Sequence, residues 1–262
     1  MRAYFEIMKI NLKNSLVYRL DSFIGILGSI ISLFIQIYLW KALLGDSTVK
    51  GINLQDMVTY QTIGILFRIF YDNTVAREVG GKVMDGSIAM ILIKPYNFAL
   101  SMFAGTLGKM TSGFVRTGLP VIAIIVLTTG FKIKVTPLNA VVFIIVVIMN
   151  IFLNWLIYYI IGLIHFVLVS AKWFSKIMGD VIRIFGGGIM PLWFFPGVLK
   201  KISFYLPFQL LYQFPQSLFI NKISSEEIIF NIIIEVVWIT ILSCIAKFLW
   251  FIGIRKLVIQ GG

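Results

Sequence analysis

Apolar residues in this chain come in long, nearly unbroken runs, several of them about the roughly 20 residues that a helix needs to cross a bilayer. Residues 22–44 form the cleanest run. Residues 57–76 form a second, which contains Arg68 and Asp72. Residues 98–130 form a third; because it carries Lys109 and Arg116, only its later part, from about Gly113, needs to lie in hydrocarbon. Residues 138–169 are the most apolar, residues 177–196 are broken late by glycines and prolines, and residues 228–250 close the series. The pattern predicts an all-α membrane protein of six transmembrane helices. A membrane β-barrel would alternate apolar and polar positions with period two, and a stretch such as VVFIIVVI at 141–148 does not alternate.

The segments between the runs carry their own patterns. Residues 77–97, REVGGKVMDGSIAMILIKPYN, interrupt the apolar sequence with charges and glycines. Asp85, Gly86, Ser87 and Ile88 read as a capped helix start, Val83, Ile88, Ile91 and Leu92 as an apolar stripe, and Lys94 and Pro95 as the stop, which together predict a short helix at a membrane surface. Within residues 1–20, Phe5, Met8, Leu12 and Leu16 share one helical face while Arg2, Glu6, Lys9 and Lys13 lie elsewhere, the pattern of an amphipathic interfacial helix. Such a helix either anchors the chain or also touches a cytoplasmic partner. Residues 22–44 are longer than a signal-peptide core of about 7 to 15 residues and no A-x-A site follows, so that span is expected to be retained. After the fifth run, Gly186, Gly187 and Gly188, then Pro191 and Pro196, flank Trp193, Phe194 and Phe195. The region 198–222 is too short and too proline-rich to span. It can dip in and return only by packing on protein or lining a cavity.

Composition agrees, with 59% hydrophobic and 13% charged residues and a mean hydropathy of +0.96, well outside the soluble range. The net charge of +12 is mostly a topology signal. With six spans, the basic residues on the side of the N-terminus (Arg2, Lys9, Lys13, Arg19, the cluster between Arg68 and Arg116, Lys172, Lys176, Arg183, Lys247, Arg255, Lys256) outnumber those opposite (Lys41, Lys50, Lys132, Lys134, Lys200, Lys201, Lys222). The positive-inside rule then places both termini and residues 77–97 in the cytoplasm. Affinity for anionic headgroups follows, and nucleic-acid binding does not.

Catalytic chemistry is missing. Cys244 is the only cysteine, excludes an intrachain disulfide, and is expected to pack within the last span. His165 is the only histidine and lacks the neighbours for a metal site, so a packing or interfacial role is expected. Glu226 and Glu227 are similar to the glutamate pair of intramembrane CAAX-type proteases, but the arginine expected four residues on is absent. The run GTLGKMT at 105–111 has the wrong glycine spacing for a nucleotide loop. Arg68 with Asp72 and Asp180 with Arg183 can pair along one helical face. Glu235, about two turns into the last span, has no local cation; it serves proton coupling or, as expected here, a structural hydrogen bond.

The order of these elements resembles the permease subunits of ABC-2 type (type-2 ABC) exporters, especially bacterial half-transporter permeases. The resemblance covers the whole chain as a single domain, 1–262, with an interfacial helix at 1–20, a coupling segment at 77–97 between spans two and three, and an outer re-entrant segment at 198–222. Its local marks are Asp85, Gly86, Ser87 and Ile88 followed by Leu92, Ile93, Lys94 and Pro95; Leu206, Pro207 and Phe208 with Pro215 beyond; and the terminal Gln260, Gly261 and Gly262. The resemblance implies a permease that pairs with an identical or paralogous permease and with two ATPase subunits. ATP and Mg would sit on those partners and no cofactor on this chain. Val83, Asp85, Gly86, Ser87, Ile88, Ile91, Leu92, Lys94 and Pro95 would contact the ATPase. Phe67, Phe70, Phe185, Trp193 and Phe194 would line a route for amphiphilic or hydrophobic cargo such as a drug, peptide or lipid, out of the bacterial cytoplasm or inner leaflet. A proton-coupled carrier or channel, or a membrane-embedded immunity or assembly factor, is the alternative.

Overall fold

The computed structural model describes residues 2–15, 19–45, 47–49, 51–71, 73–129, 135–166 and 172–255. Among these there is no β-sheet, only an isolated bridge between Val49 and Ile52. The helices are α1 (Arg2–Ser15), α2 (Arg19–Leu44), α3 (Leu54–Phe70), α4 (Thr74–Met84), α5 (Ile88–Leu92), α6 (Phe98–Gly113), α7 (Leu119–Thr129), α8 (Pro137–Leu163), α9 (Lys172–Phe185), α10 (Gly197–Tyr205), α11 (Phe208–Leu211), α12 (Gln213–Phe219) and α13 (Ser225–Arg255). A π-helical turn, Phe114–Gly118, joins α6 to α7 without a break. Four stretches are long and apolar enough to cross a membrane: Leu20–Leu44, Phe98–Thr128, Pro137–Phe166 and Ser225–Arg255.

Two of the expected spans form shorter helices. At 1.5 Å per residue α3 is about 25 Å long and α9 about 21 Å, against a hydrocarbon core of about 30 Å. The run 57–76 is cut because the chain leaves the helix at Tyr71 with ψ 115° and starts a new one at Thr74. The reverse holds for 98–130, where the helix runs on through Lys109, whose ammonium pairs with Glu78 of α4.

Sequence-local caps fix the helix starts. Asn53 accepts from Asp56 N at 2.8 Å in a capping box on α3, Asn97 accepts from Leu100 N at the start of α6, and Thr136 with Pro137 opens α8. On α13 the Ser224 hydroxyl accepts from Glu227 N at 3.2 Å while the Glu227 carboxylate accepts from Ser224 N at 2.9 Å. The second glutamate of the Glu226–Glu227 pair is thus half of a capping box.

The main core joins α3, α4, α8, α11, α12 and α13 around Phe67, Val79, Ile88, Leu153, Leu211 and Phe214. A smaller cluster at the α2–α3 loop holds Trp40, Met57, Tyr60 and Ile220 with Trp193 and Phe194 against it. Helix α1 lies along α6, where Gly105 and Gly108 face Asn11 and the Met8 carbonyl, so that any side chain there would collide with α1. That contact turns the helix from its expected orientation: Tyr4, Ile7, Met8, Asn11 and Leu12 are half-buried, and Phe5 is 58% exposed. Leu16 lies outside the described residues.

Residues 206–219 pack inside the bundle, as a segment unable to span must, whereas α10 before them is largely exposed, with Val198 and Tyr205 at the surface. Nearly all of α11 and α12 is buried. Their polar backbone groups are met by side chains from elsewhere. The Tyr60 hydroxyl lies 2.8 Å from the Gly187 carbonyl and 2.6 Å from Gln213 Oε1; Gln213 Oε1 also accepts from Leu192 N at 2.9 Å. Gln216 Nε2 donates to the Tyr60 carbonyl at 2.9 Å, Asn150 Nδ2 to the Leu210 carbonyl at 2.9 Å, and the Tyr71 hydroxyl to the Leu211 carbonyl at 3.0 Å. Gly64 gives Gln216 its room, since a Cβ there would meet the Gln216 amide. Gly187 sits at φ +81°, a left-handed turn that favours glycine.

Removing a partner from this network strands buried polar atoms, at about 1–3 kcal/mol each. Gln213→Leu is therefore expected to lower the thermal unfolding midpoint in detergent more than Tyr60→Phe, because it orphans the buried Leu192 N–H, a donor, whereas after Tyr60→Phe Gln213 Oε1 keeps Leu192 N as its partner. Intrinsic tryptophan fluorescence during heating measures both; equal midpoints for wild type and Gln213→Leu would contradict the network's role.

Candidate functional site

Two features stand out at the end of the bundle that carries α4. The first is the turn from α4 to α5. The helix start expected at Asp85 is instead the end of α4: Asp85 N donates to the Gly81 carbonyl, and Gly86 follows at φ +73°, the left-handed stop of a helix. The Ser87 side chain and its N–H, the latter 2.9 Å from Asp85 Oδ1, hold the Asp85 carboxyl below its usual pKa. Helix α5 is one turn, Ile88–Leu92, without a side-chain cap.

Burial divides the expected contact residues. Ile88 is fully buried in the main core, and Val83 and Ile91 pack partly against it. These three root the turn in the bundle. Asp85, Gly86, Lys94 and Pro95 are exposed and Ser87 half-buried. The outward apolar surface is made by Met84 (47% exposed), Met90 (67%), Leu92 (39%) and Ile93 (84%). The apolar stripe read from spacing is therefore split between an inner and an outer face, and only Leu92 of it points outward.

Helix α4 is held tightly. Val75, Ala76, Val79 and Gly80 are buried, and a Cβ on Gly162 of α8 would come within 2.7 Å of Val79. The His165 ring lies against Gly80, with Nδ1 3.2 Å from the Gly162 carbonyl, so the histidine packs as expected. The turn is thus coupled to α8 as well as to its chain neighbours α3 and α6. At its far side the Asn97 N–H donates to the Tyr4 hydroxyl at 3.0 Å, which ties α1 to the same surface.

The second feature is a cavity of about 700 Å³ bounded by α3, α4, α8 and α9. Among the described residues, Arg68, Arg77, Lys176 and Arg183 line it with a single carboxylate, Asp180. Arg183 pairs with Asp180 at 2.8 Å, the i, i+3 contact its spacing predicts. Asp72, expected beside Arg68, lies outside the described residues. The sequence contains a signal for this site that reading α9 as an apolar span hides: Ser175, Lys176, Gly179, Asp180 and Arg183 recur every three or four positions and form one polar stripe.

The five aromatic residues expected along one route do not share a surface. Phe67 is buried and stacks between Tyr71 and Phe143; Phe70 meets Phe114 edge-on; Trp193 and Phe194 pack on Tyr60 and Trp40 at the other end; Phe185 is half-buried and belongs to none of these groups. Two single residues also depart from expectation. Cys244 is exposed on α13 instead of packed. Glu235 is fully buried with neither carboxyl oxygen hydrogen-bonded among the described residues, in place of the structural hydrogen bond expected. No metal-binding cluster occurs among the described residues, and Gln260, Gly261 and Gly262 lie outside them.

None of the curated proteins compared with the chain is a match. The family comparison is decisive: the model of the ABC-2 family transporter proteins matches residues 23–261, nearly the whole chain, and with its long apolar helices the protein is a multi-pass membrane member of the ABC-2 transporter family.

Proposed function

We propose that the chain is the membrane permease of an ATP-binding-cassette exporter in a bacterial cytoplasmic membrane. It pairs with a second permease, identical or paralogous, and with two ATPase subunits that carry ATP and Mg. The observation that carries this reading is the α4–α5 turn, where Met84, Met90, Leu92 and Ile93 are exposed around Asp85 and Lys94 on a stalk whose other face is buried. An apolar, methionine-rich patch flanked by opposite charges suits a protein partner, and family membership supplies the kind of partner, an ATPase.

In this reading the membrane domain has six spans, with α3 and α9 the two short ones, and both termini and the α4–α5 turn are cytoplasmic. Closure of the ATPases on ATP pushes the turn. Because Val79 and Gly80 bear directly on Gly162 and His165, the push reaches α8 and, through the chain, α3 and α6. Amphiphilic or hydrophobic cargo leaves the cytoplasm or the inner leaflet along the surface between the two permeases, where Phe185 and the exposed apolar residues of α9, Phe174, Ile177 and Ile184, offer an apolar wall.

The turn is tested by Met90→Asp with Ile93→Asp, both exposed and so free of folding cost. The double variant is expected to reduce copurification of a co-expressed ABC ATPase partner by about tenfold or more, as loss of central apolar contacts does; undiminished copurification would overturn the coupling assignment. Purified chain is expected to show no ATP hydrolysis until that ATPase is added, and turnover by the chain alone would contradict the division of labour. A reporter fused after Gly262 should be active in the cytoplasm. Activity on the far side of the membrane would reverse the topology.

A further inference from the structure

Among the described residues, the cavity between α3, α4, α8 and α9 is lined by more cations than carboxylates. Arg68 from α3, Arg77 from α4, and Lys176 and Arg183 from α9 face one space. Among the described residues the one carboxylate lining it, Asp180, is already paired with Arg183. No ion pair among the described residues involves Arg68, Arg77 or Lys176. Counting Asp72 of the sequence against Arg68 still leaves Arg77 and Lys176 without a carboxylate. Cations gathered this closely repel one another, and Arg68 is half-buried in an apolar helix where an uncompensated charge is costly.

We propose that this cavity binds a phosphate anion, carried on an amphiphile or free. Guanidinium forks and an ammonium on separate helices suit a compact, multiply charged oxyanion better than a single carboxylate. The tyrosines Tyr158 and Tyr212 line the same space and supply hydroxyls and ring faces. Where the anion is a lipid headgroup, its chains continue along α9, whose opposite face exposes Ile177 and Ile184. The site deepens the exporter reading, on which its position at the inner face of the membrane rests. It also gives α4 two roles: Arg77 contacts the anion three turns or less from the exposed residues of the α4–α5 turn, so a bound anion fixes α4 against α9.

The test is equilibrium binding by thermophoresis to the full chain, purified alone in a nonionic detergent, with three probes: dihexanoyl phosphatidate, dihexanoylglycerol and inorganic phosphate. Phosphatidate is expected to bind about tenfold or more tightly than dihexanoylglycerol and to weaken as salt rises from about 0.05 to 0.5 M, as an electrostatic site requires. Arg77→Glu with Lys176→Glu changes two exposed side chains; with elution volume and melting unchanged, it should abolish that preference. Arg68→Gln provides a second variant from another helix, expected to weaken phosphatidate without altering dihexanoylglycerol. Phosphate binding as tightly as phosphatidate supports the site and assigns it to a soluble anion, whereas phosphatidate alone assigns it to a lipid headgroup. Equal affinity for phosphatidate and dihexanoylglycerol, or an unchanged preference in the charge-reversed variant, would overturn the proposal. No ATPase is present in this assay, so failure here leaves the exporter reading standing, and an ATPase that does not copurify would remove that reading without touching the measured affinity.

Discussion

Residues 186–219 enter the bundle without crossing it, with α10 at its surface, and polar side chains satisfy their backbone at Gly187, Leu192, Leu210 and Leu211. A chain that turns inside an apolar environment exposes N–H and C=O groups that no water meets, at several kcal/mol each. Tyr60 and Gln213 close that deficit at the sharpest point, where Gly187 and Leu192 reverse the chain. Asn150 and Tyr71 do the same for α11, and Gln216 of α12 donates in turn to the Tyr60 carbonyl of α3. These polar side chains are tolerated in apolar helices because each has a fixed backbone partner, and the partners exist only when the hairpin is home. Helices α3 and α8 therefore cannot move far from the hairpin without orphaning buried polar groups, which makes them and α11 and α12 one rigid block.

The remaining long helices are held more loosely. Helices α2 and α13 expose most of their apolar side chains, among them Ile24, Ile31 and Ile35 on the first and Ile229, Ile233 and Val237 on the second. Helix α13 keeps one face on α8 and the main core, while α2 is held by a narrower seam, the Leu33, Ile65, Val121 and Ile125 cluster joining α2, α3 and α7. Surfaces of that kind lie against lipid or another membrane chain. A rigid centre with loosely attached flanks is what a protein needs if its outer helices are to change neighbours while the hairpin stays satisfied.

Much of this was legible in the sequence, and the failures have physical causes. The long apolar runs became helices because their length and uniformity leave no competing structure, and the Asp180–Arg183 pair followed from helical spacing. Burial of the hairpin was forced by its prolines and by the bilayer. Its partners were not readable, since Tyr60 and Gln213 are 153 residues apart and no local pattern links them. Periodicity also cannot say what an apolar stripe faces: Ile88 and Leu92 share a segment, yet one is buried in the bundle and the other exposed. The cavity was hidden for the opposite reason. Its cations come from three helices, and the sequence reads them apart, Arg68 and Arg183 as members of local pairs and Arg77 and Lys176 as cytoplasmic charges.

Helix α4 connects these observations. Its buried face is pinned to α8 through small residues, Gly80 and Gly162, where contacts are too close to deform. One of its charges, Glu78, neutralises Lys109 on α6; another, Arg77, lines the basic cavity; and its last residues carry the exposed apolar patch. A rod with three such attachments does not bend under load but shifts as a unit, so a displacement at Met84 has to appear at Arg77. An anion bound as proposed would draw Arg77 toward Lys176 and Arg183, which line the same cavity. The position of the patch would then depend on what occupies the cavity, and a ligand there and a partner at the patch would act on one another through α4 with a coupling equal in both directions.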